Sequence, residues 1–248
     1  MRYFIELSYN GAAYHGWQNQ PNAISVQEVV EKALSTLLRA TIAIVGAGRT
    51  DAGVHASQMF AHFDTEVSFV EKELIYKLNS FLPKDIAIHA IFKVSHDVHA
   101  RFNALSRAYL YRVSTSKNVF NTMLAYQYGS KLDVDAMQLA CNVLYEYRDF
   151  QCFSKSKTDV KTYNCDIMSA SWQKVNGELQ FTIKADRFLR NMVRAIVGTM
   201  IEIGSGKLSI DDLHEIIKSK NRSNAGFSVP AHGLYLTEVL YPETIQYT

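Results

Sequence analysis

Cysteine is scarce in this sequence: Cys141, Cys152 and Cys165 are an odd three, with no CxxC spacing. That argues against a disulfide framework or a thiolate zinc site and points to free thiols in a reducing cytosol. Long apolar runs are also missing. The most apolar stretch, around Met192 to Ile203, carries Arg194 and Glu202, so no segment reads as membrane-spanning. The start, MRYFIELSYNG, lacks a basic region followed by an apolar run and reads as a strand, not a signal peptide. The expectation is a soluble, cytoplasmic protein. No charge sign dominates: 26 Lys and Arg face 24 Asp and Glu, for a net +2. A nucleic-acid partner therefore requires local basic clustering. No glycine-rich turn runs into Gly-Lys-Ser/Thr, which excludes a Walker loop.

The chain has 248 residues, of which 48% are hydrophobic and 20% charged, enough for one large domain or two lobes sharing a core. Strand and helix patterns alternate. Strands are expected at Arg2–Tyr9, Ile42–Val45, Gln58–Phe63 and Asp85–Val94, the last with Ile86, Ile88, Ala90 and Phe92 on one face. Val26–Arg39 has helical spacing, with Ser25 as N-cap and Glu28 completing a capping box. Val70–Leu78 is a second helix. In the second half, Arg107–Ser114 is a strand with Tyr109 and Tyr111 on one face, and Val134–Tyr145 is an amphipathic helix. Thr162–Val175 and Glu178–Ala185 form a hairpin around Asn176-Gly177. Helices Phe188–Ile203 and Ile210–Lys218 and a strand Leu234–Tyr241 follow. The fold class is α+β, with helices on a largely antiparallel sheet and two similar halves that suggest duplication. The halves are 1–104 and 105–248. Lys155 to Lys161 reads as a loop, either solvated or a basic arm touching phosphates.

Gly46, Gly48 and Gly53 punctuate the turn that holds Arg49, Thr50 and Asp51. Glycines at this density let backbone pass close to a ligand or take positive φ. Asp51 on such a turn suits chemistry, or it satisfies backbone N–H groups in an Asx-turn.

The run GAGRTDAGVHASQMFAHF, Gly46 to Phe63, resembles the signature of the tRNA pseudouridine synthase A family. Four further blocks resemble that family, in its order and over nearly the whole chain. They are LSYNGAAYHGWQNQPNAISVQEVVEKAL from Leu7, HARFNALSRAYLYRV from His99, FLRNMVRAIVGTMIEIG from Phe188 and HGLYLTEVLY from His232. The resemblance implies a pseudouridine synthase fold of two α+β lobes sharing a central sheet, with the active-site cleft between the lobes. The catalytic loop would lie in the first lobe, and the stacking tyrosine and arginine helix in the second. It implies that Asp51 is the catalytic aspartate and that Tyr109 stacks on the target base. Arg194 becomes the arginine that pairs with the aspartate, Leu234 the leucine that packs in the pocket, and Arg49 an RNA contact. It further implies isomerisation of uridines 38, 39 and 40 of the tRNA anticodon stem-loop by a homodimer without cofactor, with no DNA or membrane partner. The helix around Arg194 departs slightly, with Leu189, Arg190 and Asn191 where many members differ.

The residue types fit that chemistry. A buried carboxylate stays ionised beside a guanidinium, which binds it with two parallel hydrogen bonds. Arg187, Arg190, Asn191 and Arg194 recur at three- and four-residue spacing, as on one helical face. Two rival readings remain at this stage. One is a metal-dependent hydrolase with Asp51, His55, His96 and His99 as ligands. The other is a non-catalytic RNA-binding module.

Overall fold

The computed structural model describes residues 1–156 and 160–245. Lys157, Thr158 and Asp159 of the basic loop lie outside the described residues. In chain order the elements are β1 (Arg2–Tyr9), α1 (Val26–Leu38), β2 (Ile44–Gly46), β3 (His55–Asp64), α2 (Glu71–Phe81), β4 (Ile86–Val94) and β5 (Ser106–Ser114). There follow β6 (Tyr126–Gln127), α3 (Val134–Leu144), β7 (Ile167–Val175), β8 (Glu178–Ala185), α4 (Met192–Gly204), α5 (Ile210–Ser219) and β9 (Leu234–Leu240). The class is α+β, as the patterning dictates. Two compact units result: Met1–Ser106 with Leu236–Thr248, and Arg107–Tyr235.

In the first unit the strand order is β4-β1-β3-β9, with β2 paired to β3. β1 is antiparallel to both neighbours, Ile5 standing opposite Ala61 and Ile91. Helix α1 buries Val26, Val30, Ala33, Leu34 and Leu38, the three-and-four stripe that its sequence announces. Each large side chain on that stripe contributes roughly 1.5–3 kcal/mol by leaving water. Ser25 caps the helix by accepting the Glu28 N–H, and its hydroxyl donates to Asn19 Oδ1. β4 departs from the expected alternation. Glu6 pairs with Ala90 and Leu7 with Ile88, so His89 is an extra residue. That bulge shifts the phase, and Ile91 and Val94 are buried instead of Ala90 and Phe92.

In the second unit β5, β8 and β7 are neighbours, with β6 on β5. Asn176 and Gly177 both have positive φ, 49° and 81°, the geometry that a two-residue hairpin turn requires. Helix α4 is buried nearly all round, with Arg194 and Glu202 the half-buried exceptions. It starts at Met192 after Asn191 in left-handed conformation, φ 68°. Arg187 and Arg190 therefore precede the helix, and the shared helical face expected for them with Arg194 does not form. The reciprocal capping box sits at α5, between Ser209 and Asp212.

Side chains close the outer strand in each unit. Asn79 of α2 both donates to the Ile88 carbonyl and accepts its N–H, at 2.8 and 2.7 Å. On β7, the Tyr145 hydroxyl accepts the Ala170 N–H and donates to its carbonyl, and Gln138 accepts the Trp172 N–H.

His62 on β3 is buried, and its Nδ1 accepts the Ala100 N–H at 3.1 Å. Burial, then Arg2 and His99, push its pKa down from 6.5 to about 4, opposed by Asp64. Its neutral form is the folded form. Stability is therefore complete above the unfolded value and is lost as pH falls from 6.5 toward 4. The loss reaches about 3 kcal/mol at most. Urea unfolding at pH 7 and pH 4.5 checks this: His62→Gln is expected to show a smaller difference than the parent.

Candidate active site

Asp51 lies on the turn between β2 and β3, and the turn is fixed from beneath. Gly46 ends β2 against the Trp17 indole, leaving no space for a Cβ. Thr50 is buried, its hydroxyl bonded to the Tyr9 hydroxyl at 2.9 Å and its carbonyl to the Trp17 N–H at 3.2 Å. Gly16, φ 93°, presses against the Thr50 carbonyl, where any side chain would collide. Beyond Asp51, Gly53 takes φ 78° and donates to the Tyr14 carbonyl, and the Val54 N–H donates to the Asp51 carbonyl. Backbone bonds thus hold the turn on both sides of Asp51, whose side chain is half-buried, while Arg49 is exposed.

The second unit assembles the other expected residues. Tyr109 and Tyr111 share a face of β5. Tyr109 is half-buried, and its ring meets Phe188 edge to face, with centroids 5.1 Å apart at 89°. Tyr111 is fully buried and donates its hydroxyl to the Pro230 carbonyl at 2.8 Å. Burial drives the Tyr111 pKa far up, against the opposing charge of Arg194. Arg194 Nε donates to the Val229 carbonyl at 2.7 Å, and the Val229 N–H returns to the Arg194 carbonyl at 3.2 Å. One turn on, Gly198 lets the Phe227 backbone lie directly on the helix. Gly233 packs against the Tyr111 ring, and Leu234 follows it, buried, at the start of β9. Arg194 and Gly233 thus neighbour Tyr111, Tyr109 shares its strand face and Leu234 follows Gly233 in the chain, while Arg49 and Asp51 share the turn of the first unit.

The metal-ligand set does not assemble. His55 Nδ1 accepts the Gly11 N–H at 3.0 Å, and His99 Nδ1 accepts the Arg101 N–H at 3.1 Å. Among the described residues, no three His, Cys, Asp or Glu side chains gather to hold a metal. Nor, among those residues, is any helix long and apolar enough to cross a membrane.

Comparison with known proteins places this arrangement. The profile described as tRNA pseudouridine synthase matches residues 7–103 and again 146–242. The chain belongs to the tRNA pseudouridine synthase family. It is 54% identical over 245 residues to the tRNA pseudouridine synthase A of Parabacteroides distasonis, covering 98% of this chain and 97% of that one. The enzyme of the same name from Bacteroides thetaiotaomicron is 51% identical, covering 98% and 92%. That of Bacillus pumilus is 38% identical, covering 97% and 99%. Within the synthase, sequence reasoning missed the supports: Tyr9 and Trp17 under the turn, Phe188 against Tyr109, and the Val229 carbonyl on Arg194. For Tyr9 and Trp17 the available signal was the polar or glycine residue beside the aromatic, Asn10 and Gly16.

Proposed function

We propose that the protein isomerises uridine to pseudouridine at positions 38, 39 and 40 of the tRNA anticodon stem-loop. The observation that carries this reading is a family match spanning nearly the whole chain, with Asp51 presented on a turn pinned at Thr50 and Gly53. The bond from C1′ to N1 breaks, the uracil turns, and C1′ joins C5. N1 gains a proton and C5 loses one, so the sum is redox-neutral and asks for no cofactor. Asp51 acts either as nucleophile at C1′ or as base at C2′, and both roles need its carboxylate. The target leaves its stack at a cost of a few kcal/mol. Stacking on Tyr109 returns roughly 1–3 kcal/mol. The edge-to-face contact with Phe188 limits rotation of the Tyr109 ring, which supports this role. Arg194 and Leu234 complete the substrate-binding set, and exposed Arg49 meets the RNA. The working form is a homodimer, which sedimentation checks.

Mapping pseudouridine in unmodified tRNA transcripts tests the reading. Conversion is expected at 38–40, undiminished by EDTA. Abolition by EDTA with recovery on adding zinc or manganese would favour a metal-dependent hydrolase instead. Affinity is expected to fall with salt, with a log–log slope of roughly −0.7 per neutralised phosphate in single-stranded segments. A flat salt response counts against a phosphate-contacting surface.

A further inference from the structure

The loop between Trp17 and α1 borders a shallow, open groove of about 680 Å³, lined by residues 19–24 and Glu28. The loop is built, not slack. Gln20 and Ala23 form a bridge, Gln20 Nε2 donates to the His15 carbonyl at 2.6 Å, and the His15 N–H returns to the Ile24 carbonyl. Asn19 is tied to Ser25 and Glu31. At the tip Asn22 holds left-handed backbone, φ 61°, and its amide is exposed. The base of this loop is bonded to the Asp51 turn through the Trp17 N–H and the Thr50 carbonyl, and through the Tyr14 carbonyl and the Gly53 N–H.

The lining selects its ligand. None of its residues is a cation, and Glu28 brings a carboxylate to the rim, so a phosphate is disfavoured. Pro21 and Ile24, the latter 49% exposed, offer apolar contact to a flat face. The Asn22 amide offers one donor and one acceptor to a base edge. We propose that this groove takes the base of an unstacked nucleotide beside the target uridine, and that Asn22 reads its edge. The inference rests on the isomerase reading, because that reaction brings single-stranded loop RNA to the Asp51 turn.

The test uses Asn22→Gly in the full chain. Glycine accepts φ 61° without strain, so the loop keeps its shape while losing the amide. On anticodon stem-loop RNA, KM is expected to rise about five- to tenfold, the size of one hydrogen bond to a base edge, with kcat little changed. On RNAs with single abasic nucleotides on either side of the target, one position is expected to erase the difference between the variant and its parent. Equal KM for parent and variant on intact RNA overturns the inference. So does a loss that persists on every abasic RNA, or a changed salt slope for Asn22→Gly, which marks a phosphate. A parent protein that converts no RNA overturns the isomerase reading, and this inference with it.

Discussion

Asp51→Ala protein is expected to leave uridine unconverted in tRNA while still binding that tRNA within a few-fold of the parent. The rate loss should be on the order of 10³-fold or more, the scale set by removing a positioned acid–base group and exceeded when a nucleophile goes. Binding is expected to survive because backbone and neighbouring side chains hold the turn on both sides of position 51. Thr50 anchors the turn through Tyr9 and Trp17, and Gly53 anchors it through Tyr14. Asp51→Asn sharpens the experiment, since it keeps the size and shape of the side chain while removing the charge and turning one acceptor oxygen into an NH2 donor. Single-turnover conversion measured beside filter binding separates chemistry from affinity. An Asp51→Asn protein with a tenth or more of the parent rate would sink the assignment.

The second large effect is structural. Gly198→Ala places a methyl group into the Phe227 carbonyl oxygen, which lies on α4. The contact is with backbone, which no rotamer change relieves. The segment is held there by Gly226 N–H to Thr199 Oγ1 at 2.9 Å, by Asn191 to Ser228, and by Arg222 to Ser228 and the Gly226 carbonyl. Forcing it away costs about 1–3 kcal/mol or more. That lowers Tm by roughly 2–12 °C. It also withdraws the Val229 carbonyl from Arg194 Nε, so activity is expected to fall at temperatures where the variant is still folded. Gly129→Ala is the control, because its Cβ meets nothing within 4 Å. Equal melting curves for Gly198→Ala and Gly129→Ala would show that the close approach carries no energy.

Local signals were readable where local energy decides. Ser25 begins α1, and Asn176-Gly177 turns β7 into β8, because a cap and a left-handed turn depend on a few adjacent residues. The Asp51 turn was legible from its glycines, and two of its close approaches, at Gly46 and Gly16, are against residues far along the chain. What stayed hidden was set by distant partners. The extra residue at His89 is defined only by its pairing with β1. The late start of α4 follows from Asn191, which a spacing argument treats as helical and which binds Ser228 instead. The hold of Val229 on Arg194 is invisible in sequence because 35 residues separate the two.

The Asn79 clasp on Ile88 and the Tyr145 and Gln138 clasps on β7 have a consequence for company. An uncovered strand offers a ready template to any extended peptide, including a misfolded copy of itself. Here the N–H and carbonyl of Ile88 and Ala170 and the N–H of Trp172 are already bonded by Asn79, the Tyr145 phenol and Gln138. A peptide laid along β4 or β7 would have to displace these side chains at Ile88, Ala170 and Trp172 before it could lengthen the sheet there.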